Sequence, residues 1–248
     1  CLELAAEQGI FCPERVLTCG DPARAKKIAD KLDNAVCLAQ NREYHSYSGT
    51  WKGVPVTVTS HGVGEGGAVI GFESLCRAGA KVIIRVGTCG GMQKEITEGS
   101  LVVVKAACRE DGVTEKMLPL SYPAVADVEV IEALKQSAEE SGVPVHSGIV
   151  LTQALFYPGL LESTVRLYMK AGVIAMENEV AGQLGLMIIE QAHLPGARTV
   201  CLDPAADAPA FELVGVDGYQ PDPAMLAKAV EQEIEIALDA VIKVEIDS

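Results

Sequence analysis

The sequence is poor in aromatic residues, in histidine and in basic side chains. Only 4% of its 248 residues are aromatic, and it contains four histidines. There are 20 Lys and Arg residues against 34 Asp and Glu residues, which gives a net charge of −14 at pH 7. Such a surface repels nucleic acids and acidic membranes, so an anionic ligand would need a local cluster of basic side chains. We therefore expect neither a nucleic acid nor a membrane as a partner.

Long apolar runs, metal-binding motifs and secretion signals are also missing. The apolar stretches, such as Lys81–Val86 and Leu101–Val104, are too short to cross a bilayer. The eight cysteines form no CxxC pair and the histidines do not cluster with them, so neither a zinc site nor a disulfide framework is indicated. The first residues lack the basic and apolar regions of a signal peptide, so we expect a cytoplasmic protein with reduced thiols.

The chain shows a regular alternation of strand and helix patterns. This alternation is typical of an α/β fold with a mixed, largely parallel central sheet that is flanked by helices. No internal repeat or linker is present, so residues 1–248 are predicted to form a single domain. The segment Pro204–Pro223, which has no Lys or Arg, is predicted to be a long loop. The predicted strands are Val54–Ser60, Val82–Val86, Leu101–Ala106, Ser147–Leu151 and Thr199–Leu202, and the predicted helices are Ala68–Ala78, Val128–Ser141, Leu161–Ala171, Glu179–Gln191 and Pro223–Val244.

Three glycine-bearing turns follow predicted strands, at Cys19–Arg24, His61–Gly67 and Arg85–Gly91. Glycine lets backbone N–H groups converge on an anion, although tight turns also use glycine for purely structural reasons. Arg24 and Arg85 add a guanidinium group to two of these turns, and guanidinium forks fit phosphate oxygens. A structural ion pair is the alternative for Arg85, since a buried strand rarely carries an arginine without a partner.

The second turn also contains Gly62-x-Gly64-x-x-Gly67 between a strand and a helix, which is the spacing of a dinucleotide-binding loop. That motif calls for an acidic residue about 20 positions later, at the end of the next strand. Arg85 lies in the corresponding strand, and an arginine there suits only a dinucleotide with a phosphorylated ribose. The motif also lies far from the N-terminus, which disfavours a dinucleotide-binding loop. An NADP site stays open as an alternative to a simpler anion site.

Three segments in order, VLTCGDPARAKKIA, IIRVGTCGG and MENEVAG, resemble motifs of the nucleoside phosphorylase superfamily, specifically of its hexameric branch. The similarity runs from about Val16 to the C-terminal helix, and the segment ALFYPG is closest to the apicomplexan purine enzymes and to uridine phosphorylases. The resemblance implies phosphorolytic cleavage of a nucleoside, with inorganic phosphate as co-substrate and without a metal or an organic cofactor. It also implies a homo-oligomer built from dimers, a hexamer in this branch.

The resemblance implies a phosphate site at the first and third glycine turns. The residues that match the family's phosphate ligands are Gly20, Arg24, Arg85 and Thr88. Arg42, in the segment NREY, matches the arginine that reaches this site from the neighbouring subunit. A dimer would then be the smallest catalytic unit.

Two further segments match the part of the family's site that holds the nucleoside. In the segment MENE, Glu179 would bind the 2′ and 3′ hydroxyls of the ribose, and Glu177 and Asn178 would line the sugar. Phe156 and Tyr157 would lie beside the base. Asn178 stands where the family has a methionine, so we expect a more polar sugar pocket.

A departing purine needs a proton or a hydrogen bond at N7, which a carboxylic acid provides when burial raises its pKa. The resemblance gives this catalytic role to Asp203, at the end of the predicted strand Thr199–Leu202. Asp207 and Asp217 are the alternatives for the same role. Purine nucleosides are therefore the expected substrates.

Three other functions stay open. A uridine phosphorylase is disfavoured because Leu160 and Glu162 stand where those enzymes carry the Gln and Arg that bind uracil. A nucleosidase of the same superfamily uses water and would not need the phosphate-site residues. A non-catalytic nucleoside-binding protein is suggested by Leu4, which replaces the family's histidine at the ribose 5′ hydroxyl.

Overall fold

The computed structural model describes residues 14–156, 160, 164–184, 198–207 and 222–246 of the protein, with the backbone alone described over 198–207. Its strands are β1 (Arg15–Cys19), β2 (Asp33–Asn41), β3 (Tyr44–Trp51), β4 (Val54–Ser60), β5 (Val82–Val86), β6 (Cys89–Gly91), β7 (Leu101–Glu110), β8 (Ala124–Val125), β9 (Val145–Gln153), β10 (Ala175–Glu177) and β11 (Arg198–Asp207). Its helices are α1 (Pro22–Ala29), α2 (Glu65–Arg77), α3 (Val128–Glu140), α4 (Val165–Lys170) and α5 (Pro223–Lys243). A further helical segment covers residues 180–184.

The strands form a mixed sheet in the order β2-β3-β4-β1-β5-β11-β6-β10-β9-β7-β8. Neighbouring strands from β4 to β6 run parallel, as do β7, β9 and β10, whereas β2, β3 and β8 add antiparallel edges. β11 also pairs antiparallel with β7, so that β11, β6, β10, β9 and β7 close a ring of five strands. The expected α/β class with a mixed central sheet is confirmed.

The core lies on both faces of β1 and β5. Alternate residues of a strand point to opposite faces, and both faces of these strands are apolar. Leu17 and Ile84 belong to one buried cluster with Leu238 of α5, whereas Val16 and Ile83 belong to another that includes residues at the end of α2. Helices therefore cover the sheet on both sides, as expected. Within the described ranges, no helix is long and apolar enough to span a membrane.

Most predicted elements are confirmed, with bounds that differ by a few residues, whereas residues 185–191 of the predicted helix Glu179–Gln191 lie outside the described residues. The strands predicted at Val54–Ser60 and Val82–Val86 have the predicted bounds. The prediction missed the β2–β3 hairpin, because the residues of β2 are mostly exposed and show no clear alternation of apolar and polar side chains. The predicted loop Pro204–Pro223 is wrong at its start, since β11 continues to Asp207 through pairing with β6 and β7. Residues 208–221 of that loop lie outside the described residues.

Candidate functional site

The first two glycine turns lie side by side at the ends of β1 and β4. The backbone N–H of Gly62 donates to the carbonyl of Gly20 at 2.9 Å, and the backbone N–H of His61 donates to the carbonyl of Cys19 at 2.9 Å. A Cβ at position 20 would lie 3.0 Å from the carbonyl oxygen of Gly62, so glycine allows the two turns to pack this closely. Burial raises the pKa of the Cys19 thiol to about 12, so this cysteine stays protonated.

Arg24 joins the first turn to the third. Asp21 caps α1 by accepting from the N–H of Ala23 at 2.8 Å, which places Arg24 in the first helical turn. The Nη1 of Arg24 donates to the carbonyl of Val86 at 3.3 Å, at the end of β5. Thr88, which is half-buried, follows two residues later. Sequence and fold therefore bring two predicted phosphate ligands to the same end of β5.

Arg85 forms a buried ion pair with Glu179. Its Nη2 lies 2.5 Å from Oε2 of Glu179, and the two side chains are 4% and 8% exposed. The sequence offered a phosphate ligand and a structural ion pair as alternatives for Arg85, and the ion pair is present. Because its partner is the predicted ribose ligand, the pair also links the two halves of the predicted site.

His61 orients Arg85 and stays neutral. The Nε of Arg85 donates to Nε2 of His61 at 3.3 Å, and the imidazole packs edge-to-face on Phe72 with ring centroids 5.1 Å apart. Burial, and then the charge of Arg85, hold the pKa of His61 well below its ordinary value. Because Nε2 accepts this hydrogen bond, the neutral ring carries its proton on Nδ1. These contacts give His61 a structural role beside Arg85.

Glu179 also binds the N-terminus of α2, where the backbone N–H of Gly64 donates to its Oε1 at 2.8 Å. A carboxylate is favoured at this position by the free N–H groups and the dipole of the helix. Glu65 is buried in the first turn of the same helix. Two protein carboxyl groups thus occupy the place where a dinucleotide would put its pyrophosphate, which argues against the NADP alternative.

Glu177 supports the chain around Glu179. Its Oε1 accepts from the hydroxyl of Thr152 at 2.5 Å, and its Oε2 accepts from the N–H groups of Glu179 at 2.5 Å and of Val180 at 2.8 Å. The neighbouring Asn178 donates from Nδ2 to the carbonyl of Gln153 at 2.6 Å. These bonds favour a positioning role for Glu177, and its contact with the sugar stays a prediction.

Three of the predicted site residues lie away from this cluster or outside the described residues. Arg42 is exposed at the turn between β2 and β3, where its carbonyl accepts from Nε2 of His45 at 3.1 Å. Phe156 is 74% exposed, and Tyr157 lies outside the described residues. An exposed Arg42 is what a contribution to a neighbouring subunit would require.

Asp203 lies inside β11 and not at its end, so the predicted strand end is wrong. In the register with β5, Cys201 pairs with Arg85 and Leu202 with Val86, so the backbone of Asp203 comes one step beyond Val86. Asp207 ends the strand instead and pairs with Gly90 of β6. The third candidate, Asp217, lies outside the described residues. Along β11, Asp203 is therefore the nearer of the two described candidates to Arg85.

Two buried residues of the site were missed by the sequence analysis. Thr152 is buried and also accepts from the N–H of Ala181 at 3.0 Å, so it ties β9 to both ends of the segment around Glu179. Glu65 was missed because its burial is not visible in the sequence. In the described part of the chain, no group of three or more His, Cys, Asp or Glu residues is placed to hold a metal ion.

The described residues form an α/β protein in which glycine turns, Arg24 and Arg85 meet at one end of a parallel strand, an arrangement that makes this end a candidate anion site. The chain belongs to the phosphorylase superfamily, whose family model matches residues 14–184. This match confirms the family to which the sequence motifs pointed.

Similar proteins include enzymes for purines and for uridine. The purine nucleoside phosphorylase of Plasmodium vivax is 45% identical over 168 residues, which are 67% of this chain and 69% of that protein. The crystal structure of the Toxoplasma gondii purine nucleoside phosphorylase with immucillin-H has a TM-score of 0.85 and 35% identity, over 94% of this chain and 91% of that one. The uridine phosphorylase of Thermococcus kodakarensis is 44% identical over 144 residues, which are 58% of this chain and 52% of that protein.

Proposed function

We propose that the protein catalyses phosphorolysis of purine nucleosides to the free base and ribose 1-phosphate. The observation that carries the proposal is the buried pair of Arg85 and Glu179, which joins a predicted phosphate ligand to a predicted ribose ligand. The similarity to the Plasmodium and Toxoplasma purine enzymes supports the choice of base. Inorganic phosphate is the only co-substrate in this proposal, and no metal or organic cofactor takes part.

The phosphate is the nucleophile of the proposed reaction. Arg24, Arg85 and Thr88 would hold it with the backbone at Gly20, because all four belong to the turns around the ends of β1 and β5. Cleavage of a glycosidic bond builds positive charge on the sugar, as in glycoside hydrolysis. A phosphate that is already held beneath C1′ stabilises that charge and loses little freedom in the reaction.

Glu179 retains the capacity to bind the ribose. Its carboxylate oxygens offer about four acceptor positions in all, and Gly64 and Arg85 use one on each oxygen. The remaining positions match the two hydroxyl donors at the ribose 2′ and 3′ carbons. Hydrogen bonds between hydroxyl groups and a carboxylate are stronger than neutral ones, so they suit a site that must hold the sugar while the bond breaks.

The leaving purine needs a donor at N7, and Asp203 is our candidate for that donor. The register of β11 against β5 supports this choice, because it carries the backbone of Asp203 just beyond the level of Val86. Asp207, four residues later, pairs with Gly90 and so lies further along the strand. Asp217 stays the second candidate.

A dimer-based homo-oligomer, and specifically a hexamer, forms part of the proposal. Arg42 is exposed at a hairpin turn, so it is free to contribute to the site of a neighbouring subunit. A cytoplasmic location is also proposed, from the eight cysteines without a disulfide pattern.

Uridine phosphorolysis is the second candidate function. The similarity to the Thermococcus uridine phosphorylase favours it. Against it stands Leu160, which is fully exposed and offers no polar group where uridine enzymes carry the Gln that binds uracil. Leaving a buried carbonyl oxygen of uracil without a donor costs about 1–3 kcal/mol.

A substrate panel tests the proposed function. Inosine, guanosine, adenosine and uridine are each incubated with the protein in the presence and absence of inorganic phosphate, and base release is measured. We expect release of purines that requires phosphate and yields ribose 1-phosphate. Equal rates without phosphate would indicate a nucleosidase, a higher kcat/KM for uridine would reverse the base assignment, and binding without cleavage would indicate a non-catalytic protein.

A further inference from the structure

Glu65 is a buried acid that the proposed function does not use. It begins α2 and is 4% exposed, and no side chain of the described residues donates a hydrogen bond to its carboxyl oxygens, which lie against the backbone of Gly182. Burial of an unpaired carboxylate carries a large free-energy cost, whereas a neutral carboxylic acid carries a much smaller one. The position of Glu65 beside Gly64, which binds Glu179, suggests that the acid has a role in the site.

Glu65 packs directly on the helical segment 180–184 at Gly182. A Cβ on Gly182 would collide with Oε1 of Glu65 and lie 2.6 Å from its Cδ. The φ of Gly182 lies outside the left-handed region, so its backbone does not require glycine. Glycine serves here to leave space, which Glu65 fills together with Cγ2 of Val69.

The same two elements also hold Glu179. Gly64, next to Glu65, donates its N–H to Glu179 at 2.8 Å. Gly182 follows Glu179 by three residues, which is about one helical turn. The contact between Glu65 and Gly182 therefore sets the distance between the N-terminus of α2 and the segment that carries Glu179.

The charges around Glu65 favour its neutral form. Burial, and then repulsion from Glu177, Asp111 and Glu179, raise the pKa of Glu65 well above its ordinary value, against a smaller opposite effect of a hydrogen bond from the backbone of Gly182. These three neighbours have donors of their own, since Asp111 and Glu177 each accept backbone N–H groups and Glu179 pairs with Arg85. Donors that stabilise those carboxylates leave the proton on Glu65.

Neither of the two buried nitrogen bases in the site offers Glu65 a counter-charge. Arg85 is paired with Glu179 at 2.5 Å, and the pKa of His61 is held well below its ordinary value by burial and by Arg85. Among the described residues, neither Arg85 nor His61 would therefore balance a carboxylate at position 65.

We propose that Glu65 is a positioning residue that acts as a neutral carboxylic acid, supporting Gly182 and so holding Glu179 between α2 and Arg85. The catalytic consequence rests on the proposed function, because it requires that Glu179 binds the ribose. Ionisation of Glu65 would add a negative charge to a site that must accept an anion, so the acid form is the one compatible with phosphate.

Unfolding in denaturant at about pH 5.5 to 8 tests the protonation state, with wild type compared with Glu65→Gln. An acid whose pKa is raised by folding binds more protons in the folded than in the unfolded state, so stability falls as pH rises above the unfolded value of 4.5. Relative to Glu65→Gln, the unfolding equilibrium constant of wild type should rise about tenfold per pH unit until the folded pKa is reached. If the ratio of the unfolding equilibrium constants of wild type and Glu65→Gln does not change with pH, the proposal is overturned.

A double-mutant cycle tests the contact between Glu65 and Gly182. Gly182→Ala alone should lower Tm, because the new methyl group collides with the Glu65 carboxyl. In the Glu65→Ala background the same change should lower Tm less, since only the close contact with Cγ2 of Val69 then remains. Additive effects of the two changes would show that the residues do not act as a pair. This measurement needs no enzymatic activity, so it stands even for a protein that cleaves no nucleoside.

Kinetics separate a positioning role from a purely structural one. Glu65→Gln keeps the shape and the neutral charge, so kcat/KM for inosine should stay within about threefold of wild type, whereas Glu65→Ala should lower it more than about tenfold, chiefly through the nucleoside KM. Glu73→Gln is the matched control, because Glu73 lies in the same helix with a side chain that is 39% exposed. Wild-type kinetics in Glu65→Ala would overturn the proposal. A wild-type protein without phosphorolysis would refute the proposed function. The unfolding series over pH and the double-mutant cycle would then still test whether Glu65 is a neutral acid that supports Gly182.

Discussion

Replacement of Arg85 by methionine should lower both the folding stability and the affinity for phosphate, and the two losses can be measured separately. Arg85 is buried and pairs with Glu179 at 2.5 Å, so its loss leaves a buried carboxylate without its cation. Breaking one partner of a buried pair costs about 3–5 kcal/mol of folding free energy. Loss of charge-assisted bonds to phosphate costs about 1.5–3 kcal/mol, which raises the phosphate KM about 10- to 150-fold.

A second variant separates the two effects. In Arg85→Met combined with Glu179→Gln, neither partner is charged, and replacing both partners of a buried pair is often close to neutral for stability. We expect the double variant to recover most of the lost stability in urea unfolding, while phosphorolysis stays defective. A loss below about 1 kcal/mol in the single variant would show that the pair is not desolvated. Normal phosphate dependence in either variant would remove Arg85 from the phosphate site.

Three further changes test other parts of the site. Thr152→Val removes the hydroxyl that bonds to Glu177 and should cost about 1–3 kcal/mol in thermal unfolding, with a lower kcat; unchanged stability would contradict this. Asp203→Asn should abolish most inosine cleavage and Asp207→Asn should not, and the reverse pattern would transfer the catalytic role. Arg42→Ala should raise the phosphate KM in a homo-oligomer, and mixing it with subunits that lack Arg85 should restore some activity if the residues act across an interface; no recovery would place Arg42 elsewhere.

The elements of the central sheet could be predicted because their signals are local. The run VIIRV in Val82–Val86 consists mostly of β-branched apolar residues. All of its residues are buried, and the strand lies between β1 and β11 in the sheet. The β2 strand gave no such signal, because it lies at the sheet edge and its residues are largely exposed. The extension of β11 to Asp207 was missed because its pairing with β6 and β7 depends on segments more than 90 residues away.

The glycine turns, the arginines beside them and the MENE segment are short-range features, and the sequence alone was enough to name the family and most candidate ligands. Only the tertiary structure decided which of these groups meet. Arg85 and Glu179 are separated by 94 residues, and they form a pair because the end of β5 lies opposite the segment after β10. The partner of Glu65 was equally invisible in the sequence, since a buried acid and a glycine become complementary only when two helices pack. Contacts of this kind depend on strand order and burial, which no local pattern encodes.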